Sequence, residues 1–182
     1  MRWRRCWIDS CYDLNGHFRD PENRASISDL GAEQTSTILN RRILEWLGKR
    51  TSTSPVFVAA ISSDLQEPFG VPGKEGSRFI DASELAWYRG VRKKLLDLRP
   101  GPLSPATGGD LMRLKMDASR FALAARRVYD GAVYHNDAQI RALREELTQR
   151  GLLKESLFVV TSPRGEEFLE HGLFGHGASL YD

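Results

Sequence analysis

The chain has 182 residues, 41% of them hydrophobic and 9% aromatic, enough for one domain with its own core. Its 26 Lys and Arg against 24 Asp and Glu leave a net charge of +2, which excludes the basic signature of a nucleic-acid binder. No run approaches the length of a membrane span. The polar residues of Ile8-Asp9-Ser10-Cys11-Tyr12-Asp13 interrupt any leader after the basic Met1-Arg2-Trp3-Arg4-Arg5 start, so the expectation is a soluble, cytoplasmic protein. Cys6 and Cys11 are the only cysteines; a lone C-x4-C without a second ligand pair is a poor zinc site and defines no disulfide framework.

Residues 1–32 read as a polar, irregular segment with turn signals at Asn15-Gly16 and Asp20-Pro21. A helix is expected from about Glu33 to Gly48, with Leu39, Ile43, Trp46 and Leu47 on its apolar face. After a polar break, "VFVAAIS" (Val56 to Ser62) has the short, continuous apolar character of a strand buried on both faces of a parallel sheet. The Pro- and Gly-rich stretch that follows, "SDLQEPFGVPGKEG", reads as a loop. A second helix is expected over Leu85 to Leu98, ended by Arg99-Pro100-Gly101-Pro102. The longest helical pattern runs from about Leu111 to Arg150. It is expected to break near Asp130-Gly131, to carry Val133, Ile140, Leu143 and Leu147 on one face, and to close at Gly151. "SLFVVTS" (Ser156 to Ser162) is the second expected buried strand. Alternating helices and strands predict an α/β fold around a mostly parallel sheet. In such a fold, ligands bind at the carboxyl ends of strands, here Ser63-Asp64-Leu65-Gln66 and Ser162-Pro163-Arg164-Gly165.

The closing stretch "LFVVTSPRGEEFLEHGLFGHGASLYD" resembles the sulfatase family of the alkaline-phosphatase superfamily, through G-E-E-F, E-H-G, G-H-G and L-Y-D in fixed order. The preceding "YDGAVYHNDAQIRALREELTQRGLLKESLF" looks like the helix that leads into the family's strand. "EWLGKRTSTSPVFVAAISSDLQEPF" is similar to an upstream segment of the family. The likeness covers roughly Ile38 to Asp182. It implies a partial three-layer α/β/α sandwich over residues 33–182 and, for the family, hydrolysis of sulfuric or phosphoric esters. The family works with a divalent cation (calcium or magnesium) and a formylglycine nucleophile made within C-x-P-S-R or its serine form.

Carried over by position, the resemblance puts Pro163 and Arg164 where the family has acidic and imidazole metal ligands. Pro has no side-chain donor atom and Arg keeps its proton, so no metal ligand is assigned and no cofactor is expected in this chain. Gln66 falls where the family has the histidine that protonates the leaving group, a task an amide does not perform at neutral pH. His176, in Gly175-His176-Gly177, matches a family position near the ester oxygens. The candidate site is therefore His176 as a catalytic group, with Arg164 and Gln66 as substrate-binding groups.

The family's nucleophile and first metal-binding acids belong to an N-terminal half that this chain lacks, and both ends are expected to be truncated. The reading is a sulfatase-like protein inactive on its own. The alternatives are an ester hydrolase completed by a second chain carrying the missing half, or a metal-free anion-binding module resting on Arg164. Glu166 and Glu167, adjacent acids after a strand, are read as the first turn of a helix rather than as paired acid/base groups. His171, His135 and Asp137 are read as surface or packing residues, and His17 carries no signal. Trp3, Trp7, Trp46 and Trp87 are too dispersed to form a stacking platform.

Overall fold

A computed structural model describes residues 4–7, 10–13, 34–51, 54–67, 69, 78–98, 106–162 and 164–177. The turns expected at Asn15-Gly16 and Asp20-Pro21, the linker-like Arg99-Pro100-Gly101-Pro102, Pro163, and the closing Leu180-Tyr181-Asp182 lie outside the described residues. The chain divides into two compact units. The first is Met1–Gln66 with Asn136–Ser156, and the second is Glu67–His135 with Leu157–Asp182. Helices combine with two small sheets whose pairings are largely antiparallel. Among the described residues, no helix is long and apolar enough to cross a membrane.

In the first unit, β1 (Arg4–Trp7) and β2 (Ser10–Asp13) form an antiparallel hairpin in which Cys6 stands opposite Cys11, so the segment read as irregular contains a strand pair. The two-residue strand β3 (Phe57–Val58) adds to the other edge of β1 in parallel. Helix α1 (Thr35–Gly48) begins within two residues of expectation, and Ile38 and Leu39 are buried on its inner face. Its N-terminus has no local side-chain cap, because Gln34 occupies that position. Asp64, 29 residues away in sequence, does the work instead. Its buried carboxylate accepts from the Thr35 backbone N–H at 2.7 Å, the Ser36 backbone N–H at 3.0 Å and both hydroxyls, with Asn136 Nδ2 at 3.4 Å. These are donors that the first turn of a helix leaves free, and a carboxylate is favoured there by the helix dipole. Burial alone would raise the Asp64 carboxyl, but the Ser36 and Thr35 hydrogen bonds outweigh it and hold it below the ordinary range. Asn40 Nδ2 donates to the Gln139 carbonyl at 2.7 Å, and Arg150 NH1 to the Leu44 carbonyl at 3.1 Å, which ties α1 to the later part of the long helix.

In the second unit, α2 (Ala82–Asp97) starts three residues before the expected Leu85, because Asp81 is its N-cap and accepts the Glu84 N–H at 2.9 Å. Strand β4 (Ala106–Thr107) runs into α3 (Gly108–Arg113) through a capping box between Thr107 and Asp110. The long helix α4 (Ala118–Gln149) is continuous through Asp130-Gly131, contrary to the expected break. Its residues up to His135 belong to the second unit and those from Asn136 to the first. Gly131 and Ala132 are buried there, so packing offsets the roughly 1 kcal/mol cost of a mid-helix glycine. The break falls instead at Lys115, whose φ of 55° lets Met116 N–H reach Leu111 O and Lys115 N–H reach Met112 O, both at 2.9 Å. Asp117 then caps α4 through the Arg120 N–H. The helix ends in the same manner at Gly151 (φ 71°), as expected.

Phe121, Ala124, Ala125, Val128 and Ala132 form the buried stripe of α4, at spacings of three and four. Val133, expected on the apolar face, is 40% exposed, and Leu147 is buried. Rings join the elements of the second unit: Tyr88 stacks on Phe121 at 5.3 Å, and Phe121 meets Phe174 edge-on at 5.0 Å. Tyr129 meets both Phe69 (5.2 Å) and Phe168 (5.3 Å) edge-on. Such pairs contribute about 0.5–1.5 kcal/mol each beyond their burial.

The two expected buried strands are the main departure. Of Val56 to Ser62 only Phe57 and Val58 pair, with Phe57 49% and Ile61 57% exposed. Ser156 to Ser162 forms no strand, and Leu157, Val159 and Val160 are 90%, 68% and 61% exposed. An apolar run becomes a buried strand only where neighbouring strands take its backbone groups and other layers cover both faces. Among the described residues, the chain supplies a two-residue partner to the first run and none to the second.

Candidate functional site

The end of the chain folds into a hairpin of β5 (Glu167–Phe168) and β6 (Leu173–Gly175), joined to β4 along the other edge of β6. Glu166 and Glu167 therefore do not open a helix. The alternation that buries Phe168 and Phe174 on one face makes a hairpin, with positive φ at Leu169 (70°) and Gly172 (85°) closing the turn. Glu167 belongs to that turn: its Oε1 accepts the His171 N–H at 3.0 Å and the Leu173 N–H at 3.3 Å. Glu170 accepts the Phe168 N–H and pairs with Arg126 on α4.

The register pairs Glu167 with Gly175, which sets Glu166 and His176 opposite each other just beyond the paired residues. Gly175, at φ 105°, gives the chain the left-handed step that brings His176 round. His176 Nδ1 lies 2.9 Å from Glu166 Oε2, and Arg164 NH1 lies 3.4 Å from the same oxygen. The Glu166 side chain is 2% exposed, whereas His176 and Arg164 are 35% and 32% exposed, so a buried carboxylate anchors two cation-forming groups at the surface. Its second oxygen, Oε1, is buried without a hydrogen-bond partner among the described residues. Burial pushes the Glu166 carboxyl above the ordinary range, and the hydrogen bond and charges of His176 and Arg164 oppose that without cancelling it. Burial and the Glu166 charge likewise raise the nearby Tyr129 hydroxyl, which stays neutral.

A carboxylate on Nδ1 fixes the imidazole orientation and favours the tautomer with the proton on that nitrogen, leaving Nε2 for a ligand. Arg164 uses one guanidinium nitrogen on Glu166, and its other two have no partner among the described residues. Arg164 can thus offer an oxyanion its remaining N–H donors, and His176 adds one through Nε2 only when the ring carries both protons. Ser162 is no free hydroxyl: its Oγ donates to the Arg164 carbonyl at 2.6 Å.

Two of the three candidate residues, Arg164 and His176, are brought onto one carboxylate. Gln66 lies in the other unit, at a turn its backbone closes on Ser63 O at 2.9 Å, with its side chain exposed. The sequence reading missed Glu166 as the anchor; the signal was its spacing of ten from His176 across a turn containing Gly172. His171 sits on the hairpin turn with Nδ1 3.7 Å from Glu167, His135 is buried on α4, and Asp137 pairs with Arg141 on that helix's exposed face. No group of three or more His, Cys, Asp or Glu that could hold a metal ion occurs among the described residues. No protein-family model, curated protein or solved structure matches this chain.

Proposed function

We propose that this chain is a sulfatase-like α/β protein whose remaining site is a receptor for a sulfate- or phosphate-type oxyanion, and that the chain alone does not hydrolyse esters. The carrying observation is that Arg164 and His176 converge on buried Glu166, with two guanidinium nitrogens of Arg164 left over as donors. Guanidinium recognises tetrahedral oxyanions through paired N–H donors, and a charge-assisted bond is about twice as strong as a neutral one. A divalent cation does not fit here. The resemblance puts a ligand position on Arg164, and a guanidinium neither coordinates a metal nor tolerates one beside it. The hydrolytic step has no nucleophile assigned to it, and Gln66 supplies no proton to a leaving oxygen. Millimolar sulfate or phosphate is expected to raise the melting temperature by mass action, and Arg164→Ala to abolish the rise. No shift in the unmodified chain would remove the receptor reading.

A second reading is favoured by a different observation. The exposure of Phe57, Ile61, Leu157, Val159 and Val160 is what central strands of a three-layer sandwich would show without their neighbours. In that reading a second chain carrying the nucleophile supplies the missing strands and restores an ester hydrolase. Co-purification of such a chain with aryl-sulfatase activity supports it; a soluble, inactive mixture of the two chains opposes it.

A further inference from the structure

Arg89, Arg92 and Lys93 recur along α2 at spacings of three and four, which places them on one face of that helix. Beside them Phe69, Tyr88 and Val128, each under a tenth exposed, form an apolar floor. Together with Leu85 and Leu96 these residues line a cleft of about 290 Å³. The charges on the rim are not equivalent. Arg92 is spent on Glu67, with Nε 2.7 Å from Oε1, and the Tyr88 hydroxyl donates to the same oxygen at 3.3 Å. Arg89 and Lys93 are exposed and have no hydrogen-bond or ion-pair partner among the described residues. The cleft therefore joins an apolar, aromatic floor to two positive charges that have no counter-charge partner among the described residues.

We propose that this cleft is a binding site for a small amphipathic organic anion, its apolar ring or short chain against Phe69, Tyr88 and Val128 and its carboxylate or sulfonate at Arg89 and Lys93. Each half of the cleft excludes a simpler occupant. An inorganic anion would gain the two cations but leave the floor unfilled, and a neutral hydrocarbon would fill the floor without using the cations. The volume lies at the small end of ligand pockets and suits a body of about ten carbons. The site shares no residue with the Glu166 group and stands independently of the function proposed for it.

The direct test is titration of 2-naphthoate into the full chain by calorimetry, with neutral 2-naphthamide as the comparator. Saturable naphthoate binding is expected, about tenfold or more weaker for the amide and falling as salt rises. Arg89→Gln with Lys93→Gln changes only exposed side chains and is expected to weaken naphthoate binding about tenfold, while Arg164→Ala leaves it unchanged. Equal affinity for acid and amide, an unchanged double variant, or no saturable binding up to millimolar naphthoate would overturn the proposal. Loss of binding in Arg164→Ala would move the anion to the Glu166 group and overturn it as well.

Discussion

Two carboxylates, Asp64 and Glu166, show at the residue scale how burial is offset in one case and left standing in the other. Asp64 receives backbone and hydroxyl donors from Thr35 and Ser36, and its carboxyl sits below the ordinary value of 3.8. Its contribution to stability is present above that value and lost as pH falls through the lower folded value. Glu166 has one unpartnered oxygen, and its carboxyl sits above the ordinary value of 4.5. The sign reverses: its contribution is fully present below 4.5 and is lost as pH rises through the higher folded value. Asp64→Asn is therefore expected to cost about 2–4 kcal/mol at pH 7, a cost that shrinks below about pH 4. Glu166→Gln is expected to be neutral or stabilising by up to about 1 kcal/mol at pH 7, with the gain fading toward pH 4. Urea unfolding of both variants across pH 3–8 checks the two signs. A loss above about 2 kcal/mol for Glu166→Gln at pH 7 would show its charge to be net stabilising.

At the scale of elements, α3 and the apolar runs carry the sharpest expectations. Lys115 holds a left-handed conformation that costs a non-glycine residue about 1 kcal/mol, and its side chain is exposed. Lys115→Gly is expected to raise stability by about 0.5–1 kcal/mol, measured by urea unfolding; a loss would mean that the lysine side chain contributes more than the strain. Val159, 68% exposed, is expected to tolerate Val159→Asp with a change within about 0.5 kcal/mol, where a buried strand would lose several. The helices were legible because Leu39 on α1 and Leu147 on α4 recur in an apolar period that local chain geometry imposes. The end of α3 was not, since Lys115 stands where the usual glycine signal would be. The strands over Val56–Ser62 and Ser156–Ser162 were read from propensity alone, and pairing depends on distant partners that a local pattern does not reveal. Of the candidate residues, Arg164 and His176 were singled out through the resemblance, and the structure brings both against Glu166. Glu166 was not singled out, because two adjacent acids after an apolar run look alike whether a helix or a hairpin follows.

For the whole molecule, the proposal is an oxyanion receptor built on Arg164 and His176 in a chain that does not hydrolyse esters on its own. With or without calcium or magnesium, the purified chain is expected to show no turnover of 4-nitrophenyl sulfate or phosphate. Chelator-sensitive turnover abolished by His176→Ala would contradict that. The most direct test of the central claim is NMR of the imidazole ring protons of the four histidines during sulfate titration. The His176 signals are expected to shift saturably at millimolar sulfate while those of His135 and His171 stay in place, and Arg164→Gln is expected to abolish the shift. A His176 signal unmoved by sulfate, or one that moves equally in Arg164→Gln, would contradict the assignment of Arg164 and His176 as an oxyanion receptor.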